Sequence, residues 1–238
     1  MPPRALEPAG IILVDKPAGP SSFAVVAEVR RRTGARTGHA GTLDPFATGL
    51  LVVLSGWTTK LAPCFVGLDK RYLTEIDLTA RTATGDPEGE VVERLEPPPR
   101  DELERRLERL RGDVELPIPA ASAVKIGGER AYRLARRGIA VEMPLKRSRI
   151  GALTVIAYTE RSVTLDLHVS SGTYVRAVAA ALGGHCRTLR RTEVGPFAVD
   201  EADPEGIVPA AAALERLPDE ARERVPDRLL ARALGETA

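Results

Sequence analysis

The 238 residues are 43% hydrophobic and 28% charged, with a formal net charge of +1, which is an ordinary globular composition. The sequence shows neither a basic and apolar signal peptide nor an apolar run of membrane-spanning length, so it predicts neither secretion nor membrane insertion. The two cysteines, Cys64 and Cys186, form no CxxC pair, which argues against a disulfide framework and fits a reducing cytosol. We therefore expect a cytoplasmic protein.

In the first third of the chain, short apolar runs alternate with turn residues. In chain order, we predict a strand at residues 11–14, a helix from Ser21–Ser22 to about Arg32, a loop without regular structure at 34–49, a strand or helical start at 50–54, and a strand at 72–79. The last of these rests on a clean alternation of apolar and polar residues.

The remaining elements follow no internal repeat. In chain order, we predict a polar loop at residues 82–89, a helix capped by Asp101, a break at 116–119, a basic helix at 129–137, a hairpin of strands at 153–158 and 163–169, a helix at 174–182, and helices near 210–217 and 226–234. Without a βαβ rhythm, this order indicates an α+β fold with a central mixed or antiparallel sheet flanked by helices. We expect one main domain at residues 1–200, with an insertion at about 119–147, and a short helical tail at 201–238.

Charge is distributed unevenly along the chain. Between Lys125 and Arg149 there are eight basic and two acidic residues, whereas from Asp200 onward ten acidic residues accompany five arginines. The insertion is therefore basic and the tail acidic. A basic segment either contacts nucleic acid or forms a solvated helix face. Arginine's excess over lysine suits phosphate recognition, but a genome-wide codon bias also explains it.

The segment from Arg36 to Pro45 is the most unusual in the sequence. Its glycines Gly38 and Gly41 permit a tight loop and close approach of the backbone to a ligand. A carboxylate in such a loop, here Asp44, lies where functional residues concentrate. An aspartate before a proline is also a common cap or turn residue. These residues alone leave a catalytic and a structural role open.

Six blocks of the sequence resemble the TruB family of pseudouridine synthases. In the family's order they are GIILVDKPAGPSSF (10–23), GHAGTLDPFATGLLVVLSG (38–56), DKRYLTEIDLTARTATGDPEGEVV (69–92), SAVKIGGERAYRLARRGI (122–139), SSGTYVRAVAAALG (170–183) and LRRTEVGPF (189–197). The resemblance implies the pseudouridine synthase fold, with a thumb-like insertion. It also implies isomerisation of uridine, in which the N1–C1′ bond breaks and a C5–C1′ bond forms, without cofactor or metal.

Three catalytic roles follow from this resemblance. Asp44 matches the family's nucleophile, which attacks either the base or the ribose. Arg176 matches the arginine that pairs with this aspartate, although by itself it is equally a solvated helix residue. Tyr72 matches the tyrosine that stacks on the target base, although its strand position also suits core packing.

Three further residues match positions that contact the substrate. His39 matches the histidine that helps to hold the flipped-out RNA, so we expect substrate contact rather than acid–base catalysis. Tyr174 and Leu189 match pocket positions, and either residue is equally a core side chain. His185 and Cys186 are adjacent, but the sequence offers them no second pair of metal ligands.

The resemblance implies uridine 55 in the T-loop of tRNA as the target, which must be flipped out of the folded loop. Phosphate contacts would offset the unstacking cost. We expect these contacts from the T-arm-gripping insertion, through Lys125, Arg130, Arg133, Arg136 and Arg137. The protein is expected to act as a monomer. Alternatives are a related synthase acting on another structured RNA and a tRNA-folding chaperone without catalysis.

The sequence departs from the family pattern in three places. Only about 40 residues follow Phe197, and this stretch is acidic overall, so we expect no full PUA domain. The stretch from Arg176 to Leu189 is several residues shorter than usual, which weakens the assignment of Leu189. Ala120 and Ala121 stand where bulkier residues are frequent, so packing at the base of the insertion is expected to differ.

Overall fold

The computed structural model describes residues 9–137, 139 and 141–235, without the side chains of Ala135 and Arg136. The chain divides into two compact units. The first unit contains the described residues up to Arg71 and from Arg190, and the second contains Tyr72–Leu189. Within the described part of the chain, no helix has both the length and the apolar character needed to cross a membrane.

Fourteen strands and eight α-helices are present among the described residues. The strands are β1 (Gly10–Lys16), β2 (Thr37–His39), β3 (Thr48–Ser55), β4 (Lys70–Asp77), β5 (Ala80–Thr82), β6 (Val91–Arg94), β7 (Gly112–Pro117), β8 (Lys125–Ile126), β9 (Glu129–Arg130), β10 (Leu145–Tyr158), β11 (Ser162–Val169), β12 (His185–Val194), β13 (Phe197–Ala198) and β14 (Asp203–Val208). The α-helices are α1 (Ser22–Thr33), α2 (Ala62–Val66), α3 (Arg100–Arg109), α4 (Ala131–Arg136), α5 (Val175–Leu182), α6 (Ala210–Glu215), α7 (Asp219–Arg222) and α8 (Asp227–Leu234). Two 3₁₀ helices lie at Gly56–Leu61 and Val199–Glu201.

The first unit is built on a mixed sheet. Its strands are ordered β14-β1-β3-β12, with β2 also paired to β3 and β13 to β12. Strand β3 is antiparallel to β1 and parallel to β12, where Arg191 lies opposite Gly49. The α+β class with a mixed sheet is therefore confirmed. The loop predicted at residues 34–49 is wrong in part, because β2 forms there through main-chain pairing that leaves no apolar alternation in the sequence.

Both faces of this sheet are covered within the first unit. Helix α1 begins after Ser21, whose Oγ accepts the Ala24 N–H at 3.2 Å, and packs Val26 and Val29 on one face. The acidic tail covers the other face. Its α6 buries Ala213 and Leu214 in the core cluster that contains the phenyl rings of Phe65 and Phe197. The tail is thus structural, and the predicted boundary near residue 200 stays a prediction.

In the second unit, the strand order is β12-β4-β11-β10-β7. The predicted hairpin is confirmed as the antiparallel pair β10 and β11. The predicted break at residues 116–119 is wrong in part, because β7 ends at Pro117 after pairing with β10 along its whole length. The amphipathic α3 buries Leu103 and Leu107, as their helical spacing predicts.

The basic insertion starts with a small hairpin rather than with a helix. Strands β8 and β9 pair around Gly127 and Gly128, whose φ angles of 57° and 87° suit a two-residue hairpin turn. Helix α4 therefore begins at Ala131, two residues later than the predicted start at Glu129. Glycines permit this turn because they lack the Cβ atom that makes a positive φ costly.

Candidate active site

Asp44 lies half-buried in a loop that is fixed to the first unit by main-chain hydrogen bonds. The Ala40 N–H donates to Val52 O at 2.9 Å where the loop leaves β2, and the Ala47 N–H donates to Asp44 O at 3.1 Å. The start of α1 holds the middle of the loop. There, the buried Ser22 hydroxyl accepts the Leu43 N–H at 2.8 Å and donates to Leu43 O at 2.9 Å.

A buried lysine fixes the residue that follows the nucleophile candidate. Lys16 ends β1 and is fully buried, and its Nζ donates to the carbonyl oxygens of Pro17 and Pro20 at 2.8 Å and of Pro45 at 3.0 Å. The Gly19 N–H also donates to Pro45 O, at 2.9 Å. The turn after β1 and the Asp44 loop therefore form one connected backbone structure.

His39 is the last residue of β2 and pairs with Val53. Burial, and secondarily the positive charge of Arg191, lower the pKa of His39 below its ordinary value. Its Nδ1 is buried and has no hydrogen-bond partner among the described residues. These surroundings favour the neutral imidazole, since protonation would add a buried charge close to Arg191.

Lys70 is a buried cation that the sequence analysis did not single out. Its Nζ donates to Val66 O at 2.6 Å and also to Leu68 O. Burial, reinforced by the charge of Arg191, lowers the pKa of Lys70 to about 8. At that pKa the ammonium group loses its proton in mildly alkaline solution, in which an ordinary solvated lysine stays protonated.

The remaining pocket candidates lie in the second unit. Tyr72 on β4 and Leu189 on β12 are buried, and Tyr174 directly precedes α5 and is partly buried. The burial of these three side chains is compatible both with core packing and with a position in the wall of a substrate pocket. Their substrate contacts stay predictions.

Arg176 is buried on α5, and a loop of the second unit surrounds its guanidinium. Nη1 donates to Thr84 O at 2.7 Å and lies 3.7 Å from the carboxylate of Asp86, while Nη2 donates to Ala121 O at 2.9 Å. Arg176 is therefore no solvated helix residue. Asp44 belongs to the first unit, and its pairing with Arg176 stays a prediction.

Asp86 is the second residue that the sequence analysis did not single out. Its Oδ1 accepts the Thr84 hydroxyl at 2.5 Å and the Glu88 N–H at 3.1 Å, which fixes the loop between β5 and β6. Its Oδ2 faces Arg176. A buried aspartate at this distance holds the guanidinium by its opposite charge.

The described basic side chains that were predicted to contact RNA are exposed, but they are not all equally available to RNA. Arg137 forms an ion pair with Glu129 at 2.7 Å, and Arg130 donates to Ala123 O at 3.2 Å. Arg133 lies over the ring of the neighbouring Tyr132, 5.9 Å from its centroid. Lys125 is exposed on β8. The side chain of Arg136 lies outside the described residues, so its predicted RNA contact has no structural counterpart.

The residues that the structure describes contain no group of three or more His, Cys, Asp or Glu side chains placed to hold a metal ion. His185 instead places Nδ1 2.9 Å from Ala80 O. The expectation that the reaction needs neither metal nor cofactor stays a prediction.

Comparisons with known proteins identify the family of the chain. Residues 30–175 match the model of the TruB family pseudouridylate synthase, N-terminal domain, which covers more than half of the chain. The chain belongs to the TruB family. It is 44% identical over 208 residues to a tRNA pseudouridine synthase B of Mycobacterium sp. (strain KMS), covering 82% of this chain and 70% of that protein. A protein of the same name from Leifsonia xyli subsp. xyli (strain CTCB07) is 41% identical over 221 residues, covering 86% and 73%.

The fold agrees with this assignment to the TruB family. A solved Cbf5-Nop10-Gar1 complex contains a chain that is 27% identical, with a TM-score of 0.62. The match covers 81% of this chain and 50% of that one, so the protein spans about half the length of its structural relative. The predicted TruB-type pseudouridine synthase, with its pseudouridine synthase fold, is confirmed at the level of the family.

Proposed function

We propose that this TruB-family protein converts uridine 55 in the T-loop of tRNA to pseudouridine. The observation that carries the proposal is the identity of 41–44% to proteins named tRNA pseudouridine synthase B over most of the chain. In the reaction, the N1–C1′ bond breaks, the base turns, a C5–C1′ bond forms, the C5 proton is released to solvent and N1 takes up a proton from solvent. Atoms and electrons balance without a co-reactant.

Asp44 is the proposed nucleophile, which attacks either the base or the ribose. Two features support this role: the rigid hydrogen bonding of its loop, and its partial exposure on an otherwise buried support. Catalytic groups need such preorganisation, because a displacement of about 1 Å costs about 10²-fold in rate. Arg176 and Tyr72 take the roles that the family resemblance implies, as orienting arginine and base-stacking tyrosine.

Base flipping and T-arm binding complete the proposal. The target uridine would leave the folded T-loop, and phosphate contacts from the basic insertion would offset the cost of unstacking. We further propose that the protein works as a cytoplasmic monomer. Sedimentation of the protein alone and with one equivalent of T-arm RNA tests the monomer, since a dimer would double the mass of both species.

Tritium release tests the proposed activity directly. The protein is incubated with a T-arm RNA whose uridines carry tritium at C5, in the presence of a chelator, and tritium in water is measured. We expect one equivalent released per RNA, and none from a T-arm with cytidine at position 55. Tight RNA binding without tritium release would contradict the enzymatic activity and indicate a tRNA-folding chaperone. Release only from other structured RNAs would keep the activity and change the substrate.

A further inference from the structure

Arg191 on β12 is one of the most deeply buried side chains of the first unit, with 1% of its surface exposed. Its guanidinium donates three hydrogen bonds to main-chain carbonyls. Nε donates to Leu50 O at 2.8 Å, Nη2 to Gly41 O at 3.0 Å and Nη1 to Thr42 O at 3.4 Å. These carbonyls belong to the two ends of the segment 41–50, and Asp44 lies between them.

The charge of this guanidinium is not compensated by a neighbouring acid. Among the described residues, no carboxylate lies within ion-pair distance of Arg191, whereas the adjacent Arg190 forms a surface ion pair with Asp15 at 2.7 Å. Burying an unpaired charge is costly, and a core of this kind is filled more favourably by an apolar side chain. Core filling alone therefore does not explain an arginine at this position.

One glycine of the loop, Gly49, leaves space that the strand of Arg191 occupies, and a second, Gly41, lies next to the guanidinium. A Cβ on Gly49 would lie 2.2 Å from Arg191 O, and Gly49 has a φ of 104°. A Cβ on Gly41 would lie 3.5 Å from Arg191 Nη1, and this glycine has a φ of 111°. The glycines that make the loop tight thus also bring both of its ends against one arginine.

We propose that Arg191 is a positioning residue for Asp44: its planar fork joins both ends of the loop and fixes the direction in which the carboxylate points. Arginine suits this task because its five donors lie in one rigid plane, whereas lysine offers a single rotating ammonium group. The inference rests on the proposed function only for its effect on turnover. Its effect on the loop is measurable without RNA.

Three variants test the proposal. Arg191→Met removes the charge and the donors at similar length, Arg191→Lys keeps the charge without the fork, and Arg190→Met is the matched control on the same strand. We expect kcat on T-arm RNA to fall about 100-fold in Arg191→Met and about 10-fold in Arg191→Lys. The dissociation constant of the RNA should stay within about threefold, and Arg190→Met should keep kcat within about twofold.

Two measurements on the free protein separate positioning from simple stabilisation. Amide hydrogen exchange at Leu43 and Ala47 should become at least about 10-fold faster in both Arg191 variants, beyond the change at Val52 in the sheet. The pKa of His39, followed by NMR, should rise in Arg191→Met.

If Arg191→Met does not fold, Arg191→Lys carries the test. Wild-type kcat and wild-type loop exchange in Arg191→Lys would overturn the proposal. If the wild-type protein itself shows no turnover of T-arm RNA, the proposed function is overturned instead, and the loop exchange still tests the positioning role of Arg191.

Discussion

At the scale of single residues, the buried pair of Asp86 and Arg176 shows how the second unit fixes a catalytic candidate. The guanidinium donates to Thr84 O and Ala121 O and lies 3.7 Å from the carboxylate of Asp86. Main-chain carbonyls fix its plane, and Asp86 adds the opposite charge. Because the pair is buried, removing one partner leaves an uncompensated buried charge, which costs more than breaking one of the surface ion pairs of this chain.

Asp86→Asn should lower turnover more than RNA affinity. The substitution keeps the size of the side chain and removes the charge that faces Arg176, so we expect kcat to fall about tenfold, which corresponds to about 1.4 kcal/mol. The free energy of unfolding should fall by about 2 kcal/mol. Steady-state kinetics and urea unfolding measure both effects. Glu88→Gln, on the exposed part of the same loop, should change neither. An equal effect of the two variants would contradict this role.

The lowered pKa of His39 predicts a stability change in mild acid. The unfolded chain binds a proton near pH 6.5 and the folded protein only at lower pH. The unfolded state therefore holds more protons as the pH falls below about 6.5, and the free energy of unfolding decreases in that window. Urea unfolding between pH 7.5 and 5 should show this loss in the wild type and a smaller one in His39→Gln. Parallel curves would contradict the prediction.

The sequence identifies some of these residues and not others, for a physical reason. Asp44 and Arg176 match family residues of assigned role. Such a match needs only the sequence motif and no knowledge of the surroundings of the residue in the folded protein. Asp86, Lys70 and Arg191 also lie in the family-like blocks, but no family role was assigned to them, and in a chain that is 28% charged they look like ordinary polar residues. Only the folded structure buries them and supplies their hydrogen-bond partners, so their roles could not be predicted locally.

At the scale of elements, amphipathic helices and regular strands were predictable and short paired segments were not. Helix α3 and the β10–β11 hairpin follow their apolar spacing. Strands β2 and β14 are polar and form because a neighbouring strand offers main-chain partners. Such pairing depends on contacts distant in sequence, which propensity does not report.

The basic insertion should contribute to the salt dependence of RNA binding through its unpaired cations. Lys125 and Arg133 are exposed and form no ion pair among the described residues, whereas Arg137 is paired with Glu129. Replacing Lys125 and Arg133 by glutamine should reduce the slope of log K against log salt by about 1.5. Arg137→Gln should change it less, and Arg109→Gln on α3 not at all. An unchanged slope in the double variant would make the insertion a solvated surface.

At the scale of the whole molecule, the acidic tail proves to be part of the first unit's core. Leu214 of α6, Ala221 of α7 and Leu217 in the turn between them are buried in one core cluster with residues of the sheet. Arg232 of α8 lies 4.5 Å from the centroid of the Trp57 ring. In the sequence, the tail's net negative charge conceals the apolar face that packs inward. The tail therefore stabilises the sheet that carries the Asp44 loop.

Leu214→Ala should destabilise the protein although the residue lies in the tail. Leu214 is fully buried, so the substitution removes apolar contacts and leaves a cavity, with an expected cost of about 3 kcal/mol. Leu234→Ala, at an exposed position of α8, should cost less than about 0.5 kcal/mol. Thermal unfolding of both variants provides the measurement. Similar melting temperatures for Leu214→Ala and wild type would contradict the structural role of the tail.

The central claim is that a carboxylate at residue 44 performs the isomerisation. The most direct test is the single-turnover rate of Asp44→Asn at saturating T-arm RNA, together with its dissociation constant. The account predicts that the rate falls by about 10⁴-fold or more, because the amide is no nucleophile, and that RNA affinity stays within about threefold. Pseudouridine formation within about tenfold of the wild-type rate would contradict the account.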